Sequence, residues 1–153
     1  MHKKLEKFMD YEAIRFENGI KIFDVEQEFK ITYNDVILKG KIDRIDQYPD
    51  NSYEILDYKT SASLKIDTAK SYEDSKDFQL EFYYLASRDK MIKNVAYYDL
   101  NDASIKSEVM LTEKLELLDI HLKALKTTQV DFKICEDKAA CLFCSYNIIC
   151  NRV

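Results

Sequence analysis

The sequence predicts a mixed α/β (α+β) fold, with one central sheet flanked by helices. Two features predict it. Runs of β-type residues sit between segments whose apolar side chains recur at helical spacing. Two glycines and one proline punctuate 153 residues, so the elements should be long and the turns few.

Taken in order, residues 4–17 carry Leu5, Phe8, Met9, Ala13 and Phe16 on one helical stripe, and Asn18-Gly19 supplies a C-terminal stop. β-type runs follow at Ile20–Phe29, Ile31–Tyr33, Val36–Asp46 and Tyr53–Lys59. Thr60–Asp77 reads as a loop with at most one helical turn, and residues 78–90 as a helix. Lys93–Leu100 and Ser104–Met110 form a hairpin turning at Asn101-Asp102. Thr112 caps a final helix to about Lys126, with Leu115, Leu118, Leu122 and Leu125 as its buried stripe. A cysteine tail at 135–150 closes a single domain over 1–153.

Composition narrows the function classes. No apolar run approaches the ~20 residues of a bilayer span, and Met1-His2-Lys3-Lys4 opens no secretory signal, so a cytoplasmic location and no membrane partner are expected. A net charge of −5 argues against a free-standing nucleic-acid binder and points to a partner subunit that grips phosphates. Cys135, Cys141, Cys144 and Cys150 are clustered as metal or iron–sulfur ligands rather than disulfides.

The chemistry concentrates in Gly40-Lys41-Ile42-Asp43-Arg44-Ile45-Asp46, a turn over Tyr48-Pro49-Asp50-Asn51-Ser52, and Leu56-Asp57-Tyr58-Lys59-Thr60. A hairpin centred on Asp50 places Asp43 opposite Asp57, with Cβ atoms about 4.5–5.5 Å apart. Strand alternation returns Lys59 to the same face. Opposed carboxylates repel unless a cation lies between them, and Mg²⁺ or Mn²⁺ suits that oxygen environment. A neighbouring lysine can hold a water or stabilise charge on a phosphate, so the set suits phosphodiester hydrolysis. A solvated hairpin with surface charges is the competing reading, and a one-residue slip in register would separate the residues.

These segments resemble the RecB-like branch of the PD-(D/E)XK nuclease superfamily, whose pattern is G-x-x-D-R-x-D followed by D-Y-K-T. Gln79-Leu80-Glu81-Phe82-Tyr83 looks like that branch's Q-x-x-x-Y helix, and Cys141-x2-Cys144-x5-Cys150 is similar to the tail of AddB-type helicase–nuclease subunits and of CRISPR-associated relatives. The resemblance implies a restriction-endonuclease-like fold with a mixed central sheet. It implies that Asp43, Asp57 and the Tyr58 carbonyl ligate the metal, and that Lys59 activates water. Gln79 and Tyr83 would order the lysine and the substrate. It also implies a DNA exonuclease acting in double-strand break processing, recombination and repair beside a helicase partner, and a [4Fe–4S] cluster in the full-length protein.

Some positions depart from the pattern. Glu26 or Glu28 matches an acidic position before Gly40, with a solvated glutamate as the competing reading. His2 loosely resembles an upstream metal-binding histidine, whereas His121 reads as a surface residue. No cysteine precedes Cys135, so either Cys135 replaces the upstream cluster ligand or the chain is a C-terminal fragment of a larger protein. A stand-alone exonuclease, a non-cutting DNA-binding or assembly module, and a structural zinc site at the cysteines stay open as alternatives.

Overall fold

The computed structural model describes residues 2–61, 64–127, 136, 138–142 and 144–151. The chain divides into two compact units, Met1–Lys123 and Ala124–Val153. The elements run α1 (His2–Glu17), β1 (Lys21–Tyr33), β2 (Val36–Gln47), β3 (Tyr53–Lys59), α2 (Gln79–Ala86), β4 (Ile92–Asp99), β5 (Ser104–Ser107), α3 (Leu111–Leu125) and the short α4 (Lys138–Cys141). The five strands form one sheet in chain order, antiparallel except for the parallel pair β3–β4. Parallel neighbours need a long crossover, and the loop after Lys59 together with α2 supplies it.

Helix α1 ends as its Asn18-Gly19 stop predicts. Gly19 takes φ 80, its N–H donates to the Phe16 carbonyl, and the Ile20 N–H donates to the Arg15 carbonyl. Those two bonds define a Schellman cap, which glycine accepts without a steric penalty. The first β segment is one strand rather than the two expected. No breaker separates Phe29 from Ile31, and Lys30 pairs with Lys39 along the β1–β2 ladder. The turn at Asn34-Asp35 has both residues at positive φ (47 and 58), as a two-residue hairpin requires.

Core side chains lie on both faces of the sheet. On one, Ile45, Ile55, Val95 and Tyr97 pack with Leu80 and Tyr83 of α2. On the other, Leu56, Ala96 and Tyr98 pack with Phe8 and Tyr11 of α1. The helix predicted at 78–90 stops at Ala86, where the Ser87 N–H turns back to the Tyr84 carbonyl. Helix α3 begins at Leu111, so Thr112 lies inside it rather than capping it. Leu118 and Leu122 are buried as expected, but Leu125 is 76% exposed.

The same helix buries a residue that apolar periodicity does not reveal. Lys114, 3% exposed, pairs with Glu108 at 3.0 Å, Glu81 at 3.3 Å and Asp67 at 3.4 Å. Glu81 on α2 is completely buried, and that burial pushes its carboxyl up from its ordinary 4.5 to about 7, against the pull of the Lys114 ammonium. Between those two values the unfolded chain has lost the Glu81 proton and the folded chain keeps it. The stability that Glu81 contributes is therefore full below 4.5 and declines as pH rises to about 7. Glu81→Gln removes that titration. Thermal melts followed by circular dichroism should show the variant gaining on the wild type between pH 5 and pH 8; a stability difference independent of pH would contradict this account.

Candidate active site

The β2–β3 hairpin has the predicted register. Its ladder partners are Arg44↔Leu56, Ile45↔Ile55, Asp46↔Glu54 and Gln47↔Tyr53, and one step further that register brings Asp43 to Asp57. The turn holds it there. Asp50 Oδ1 accepts both the N–H (2.9 Å) and the hydroxyl (2.6 Å) of Ser52, and Asn51 adopts φ 62.

The neighbouring ladder is irregular at the same level. Ile42 and Ile45 join one core cluster although they are three residues apart, so strand alternation shifts phase between them. Glu26, which the Val25↔Arg44 and Gln27↔Ile42 pairs leave opposite Asp43, takes φ 54. That distortion lets Asp43 and Ile45 share a face with Ile42, whose side chain a regular strand would turn to the other side.

Around Asp57 the polar groups interlock. Asp57 is 3% exposed, and its Oδ1 accepts from Gln79 Nε2 at 2.7 Å and Tyr83 Oη at 3.0 Å. Its buried Oδ2 is ion-paired with the Lys59 ammonium at 2.7 Å. Lys59 Nζ donates to Gln79 Oε1 at 2.7 Å and lies 4.8 Å from the centre of the Tyr97 ring. Gln79 Nε2 also reaches Tyr83 Oη, at 2.7 Å. Asp43, half-buried, accepts the Tyr58 N–H on Oδ2 at 3.0 Å.

Burial holds the Asp57 carboxyl above the usual carboxylate range; the Lys59 ammonium pulls it down and the Asp43 charge adds to the rise. Burial, with the charges of Asp57 and Asp43, likewise raises the Tyr83 phenol. The two carboxylates thus share one electrostatic environment, with Lys59, Gln79 and Tyr83 around it.

Other sequence candidates stand apart. Glu26 and Glu28 are exposed, and Glu26 is ion-paired with Lys41. His121 is exposed, its ring meeting Phe78 edge-on at 5.6 Å. His2 lies in the first turn of α1, and its side chain is outside the described residues. In the second unit Cys141 is buried, Cys144 exposed and Cys150 half-buried, while Cys135 lies outside the described residues. The Cys144 sulfur accepts the Tyr146 N–H at 3.4 Å. Among the described residues no three His, Cys, Asp or Glu side chains gather as a metal-holding group, so the expected convergence of Cys141, Cys144 and Cys150 is not met there.

Two contributors were not read from the sequence. Asp77 accepts the Gln79 N–H on Oδ1 (3.0 Å) and the Tyr97 hydroxyl on Oδ2 (2.7 Å), so it orients the start of α2. A carboxylate two residues ahead of a helical glutamine was a legible capping signal; nothing in the sequence marked Tyr97. Beside the site a groove of about 550 Å³ opens, lined by Lys39, Lys41, Phe78, Phe82, Gln79 and Tyr83 among others. Gly40 shapes it: a Cβ there would stand 2.6–2.8 Å from the Phe29 ring, which lies across the glycine.

A family model described as the PD-(D/E)XK nuclease superfamily matches residues 1–151. The chain belongs to that superfamily. Its five-stranded mixed sheet with flanking helices is the restriction-endonuclease-like architecture expected of this superfamily. Among curated proteins it is similar to an ATP-dependent helicase/deoxyribonuclease subunit of Streptococcus pyogenes serotype M12 (strain MGAS2096), 35% identical over 89 residues, covering 58% of this chain and 8% of that protein. The counterpart of serotype M49 (strain NZ131) is 34% identical over the same shares. The match thus takes in well under two thirds of those relatives' length. The crystal structure of SSO0001 covers 94% of this chain and 66% of its own, with 16% identity and a TM-score of 0.40, and adds nothing to the assignment.

The Gln79 side chain bonds Asp57, Lys59 and Tyr83 together. Gln79→Leu leaves Asp57, Lys59 and Tyr83 each one partner short. Urea denaturation should record a loss of about 1–3 kcal/mol, the usual penalty for stranding buried polar groups; an unchanged midpoint would mean that these bonds contribute nothing to the fold.

Proposed function

We propose that the chain cuts DNA by metal-dependent phosphodiester hydrolysis, at a site made by Asp43, Asp57 and Lys59. The observation that carries this reading is the pair of carboxylates that the hairpin register brings together, Asp43 and the buried Asp57, with the Lys59 ammonium 2.7 Å from Asp57 Oδ2. Mg²⁺ or Mn²⁺ fits that donor set. Such ions take hard oxygen ligands, and Mg²⁺ commonly uses only one or two carboxylates and keeps several waters, so a third acidic side chain is not required. Asp43, Asp57 and the Tyr58 carbonyl would hold it. A bound divalent ion would supply Lewis-acid stabilisation of the phosphate and a more acidic water.

The chain's own groups do the rest. Gln79 Oε1 holds the Lys59 ammonium on the Asp57 side. From there Lys59 orients the attacking water and offsets the negative charge that grows on the phosphate oxygens. Tyr83 and Gln79 fix the Asp57 carboxylate by its Oδ1, so that Oδ2, which faces Lys59, would be the oxygen that turns to a bound cation. The adjoining groove combines Lys39 and Lys41, which attract phosphates, with Phe78 and Phe82, whose partly exposed rings suit bases.

The same reading makes the chain the nuclease part of a helicase–nuclease that trims broken DNA ends as an exonuclease for recombinational repair. The similarity to helicase/deoxyribonuclease subunits supports it, and a net charge of −5 favours a partner that supplies grip on DNA. An iron–sulfur clasp at Cys135, Cys141, Cys144 and Cys150 would be structural. The described cysteines, as arranged, do not fit a cluster, and no step passes through one.

With Mg²⁺ and its helicase partner, wild-type protein should degrade labelled DNA, the 153-residue chain by itself cutting weakly or not at all. Asp57→Ala should abolish cleavage, and Lys59→Ala should slow it about 10²–10⁴-fold, the usual worth of a positioned proton-handling group. Cleavage that survives excess EDTA would exclude the mechanism.

A further inference from the structure

Behind the site, on the α1 face of the sheet, lies a set of buried charges that the hydrolytic chemistry does not use. Arg44, Arg15, Glu12, Asp46 and Glu54 are each 5% exposed or less. Arg15 Nη2 donates to Asp46 at 2.7 Å and to Glu54 at 2.6 Å. Arg44 Nε donates to Asp46 at 2.7 Å, and its Nη1 is 2.7 Å from Glu12 of α1. Two guanidiniums among three carboxylates would be an expensive way merely to fill a core, since apolar packing of similar volume is often as stable.

One member of this set reaches toward the site. Arg44 Nη1 also donates to the Tyr58 hydroxyl at 3.1 Å. Tyr58 stands between Asp57 and Lys59 in the chain, its ring 5.6 Å from Tyr98 and 6.4 Å from Phe8, and its N–H holds the Asp43 carboxylate. Arg44 in turn follows Asp43 in the chain. The bonds therefore close a ring that crosses the sheet: from Asp43 through the backbone to Arg44, through its side chain to Tyr58, and from the Tyr58 N–H back to the Asp43 carboxylate.

We propose that Arg44 is a positioning residue, which through the Tyr58 hydroxyl fixes the Asp43 carboxylate and the Asp57–Lys59 backbone in the geometry that binds a divalent cation. The inference rests on the metal reading given above. Arg44 suits the task because its planar fork binds Asp46, Glu12 and Tyr58 from one fixed group and stays charged at every working pH. Helix α1, through Glu12, becomes the support on which the ring is mounted.

The test is Mn²⁺ binding to the 153-residue chain, measured by titration calorimetry without DNA, beside thermal melts of the metal-free protein. Tyr58→Phe opens the ring at one bond while keeping the aromatic contacts. It should weaken Mn²⁺ binding about 10-fold, at the lower end of what outer partners of metal ligands are worth. Arg44→Lys, which cannot reach all three partners, should weaken it at least as much. Phe8→Leu is the control: it disturbs the same aromatic cluster without removing a hydrogen bond of the ring, and Mn²⁺ affinity should hold whatever the melt does. Tyr58→Phe with wild-type affinity, or Phe8→Leu weakening binding equally, would overturn the proposal and leave Arg44 as a packing charge. A wild-type chain that binds no Mn²⁺, or an Asp43→Ala variant that binds it as well as wild type, would instead overturn the metal reading itself and the proposal with it.

Discussion

Everything in the site depends on the register of one antiparallel hairpin. A slip of a single residue between β2 and β3 would turn Asp57 and Lys59 away from Asp43 and move Ile55 from the α2 core to the buried charges beneath α1. Three features hold the register. The Asp50–Ser52 bonds set the turn length. Ile45 and Ile55, paired across the ladder and fully buried, make any slip a loss of core. On the other face, Arg15 joins Asp46 of β2 to Glu54 of β3, which are themselves ladder partners. Breaking a buried pair of that kind costs on the order of 3–5 kcal/mol, because it strands the remaining charge.

The hairpin therefore carries charge on both faces, and the two faces differ in what they achieve. Beneath α1 two arginines are ion-paired with three carboxylates. Facing α2, two carboxylates are held together with one lysine, which pairs with Asp57 Oδ2 at 2.7 Å. We read the α2 face as the working one, because there two neighbouring carboxylates share a single lysine.

Much of this was legible in the sequence because it follows from short-range rules. Turn formers around Asp50 gave the hairpin its centre, the period of two put Lys59 on the side of Asp57, and the four-residue spacing of Gln79 and Tyr83 put both on one helical face. Gly19 marked the end of α1 for an equally local reason. What was not legible was set by tertiary contact. Lys114 is a charged residue on an otherwise ordinary helix, and only Glu81, Glu108 and Asp67, distant in sequence, explain its burial. Leu125 fits the apolar stripe of α3 and is exposed all the same. The phase shift between Ile42 and Ile45 answers the positive φ of Glu26 on another strand, so inspection of β2 alone could not reveal it.

The central claim is that Asp43 and Asp57 form one cation site. The most direct measurement is a crystal structure of the chain grown with Mn²⁺, with data collected at the manganese absorption edge. The account predicts an anomalous peak bridging the two carboxylates within about 2.0–2.6 Å of their oxygens, the range for hard divalent cations on oxygen ligands, with the Tyr58 carbonyl beside it. A manganese peak elsewhere, with the two carboxylates turned apart, would contradict it.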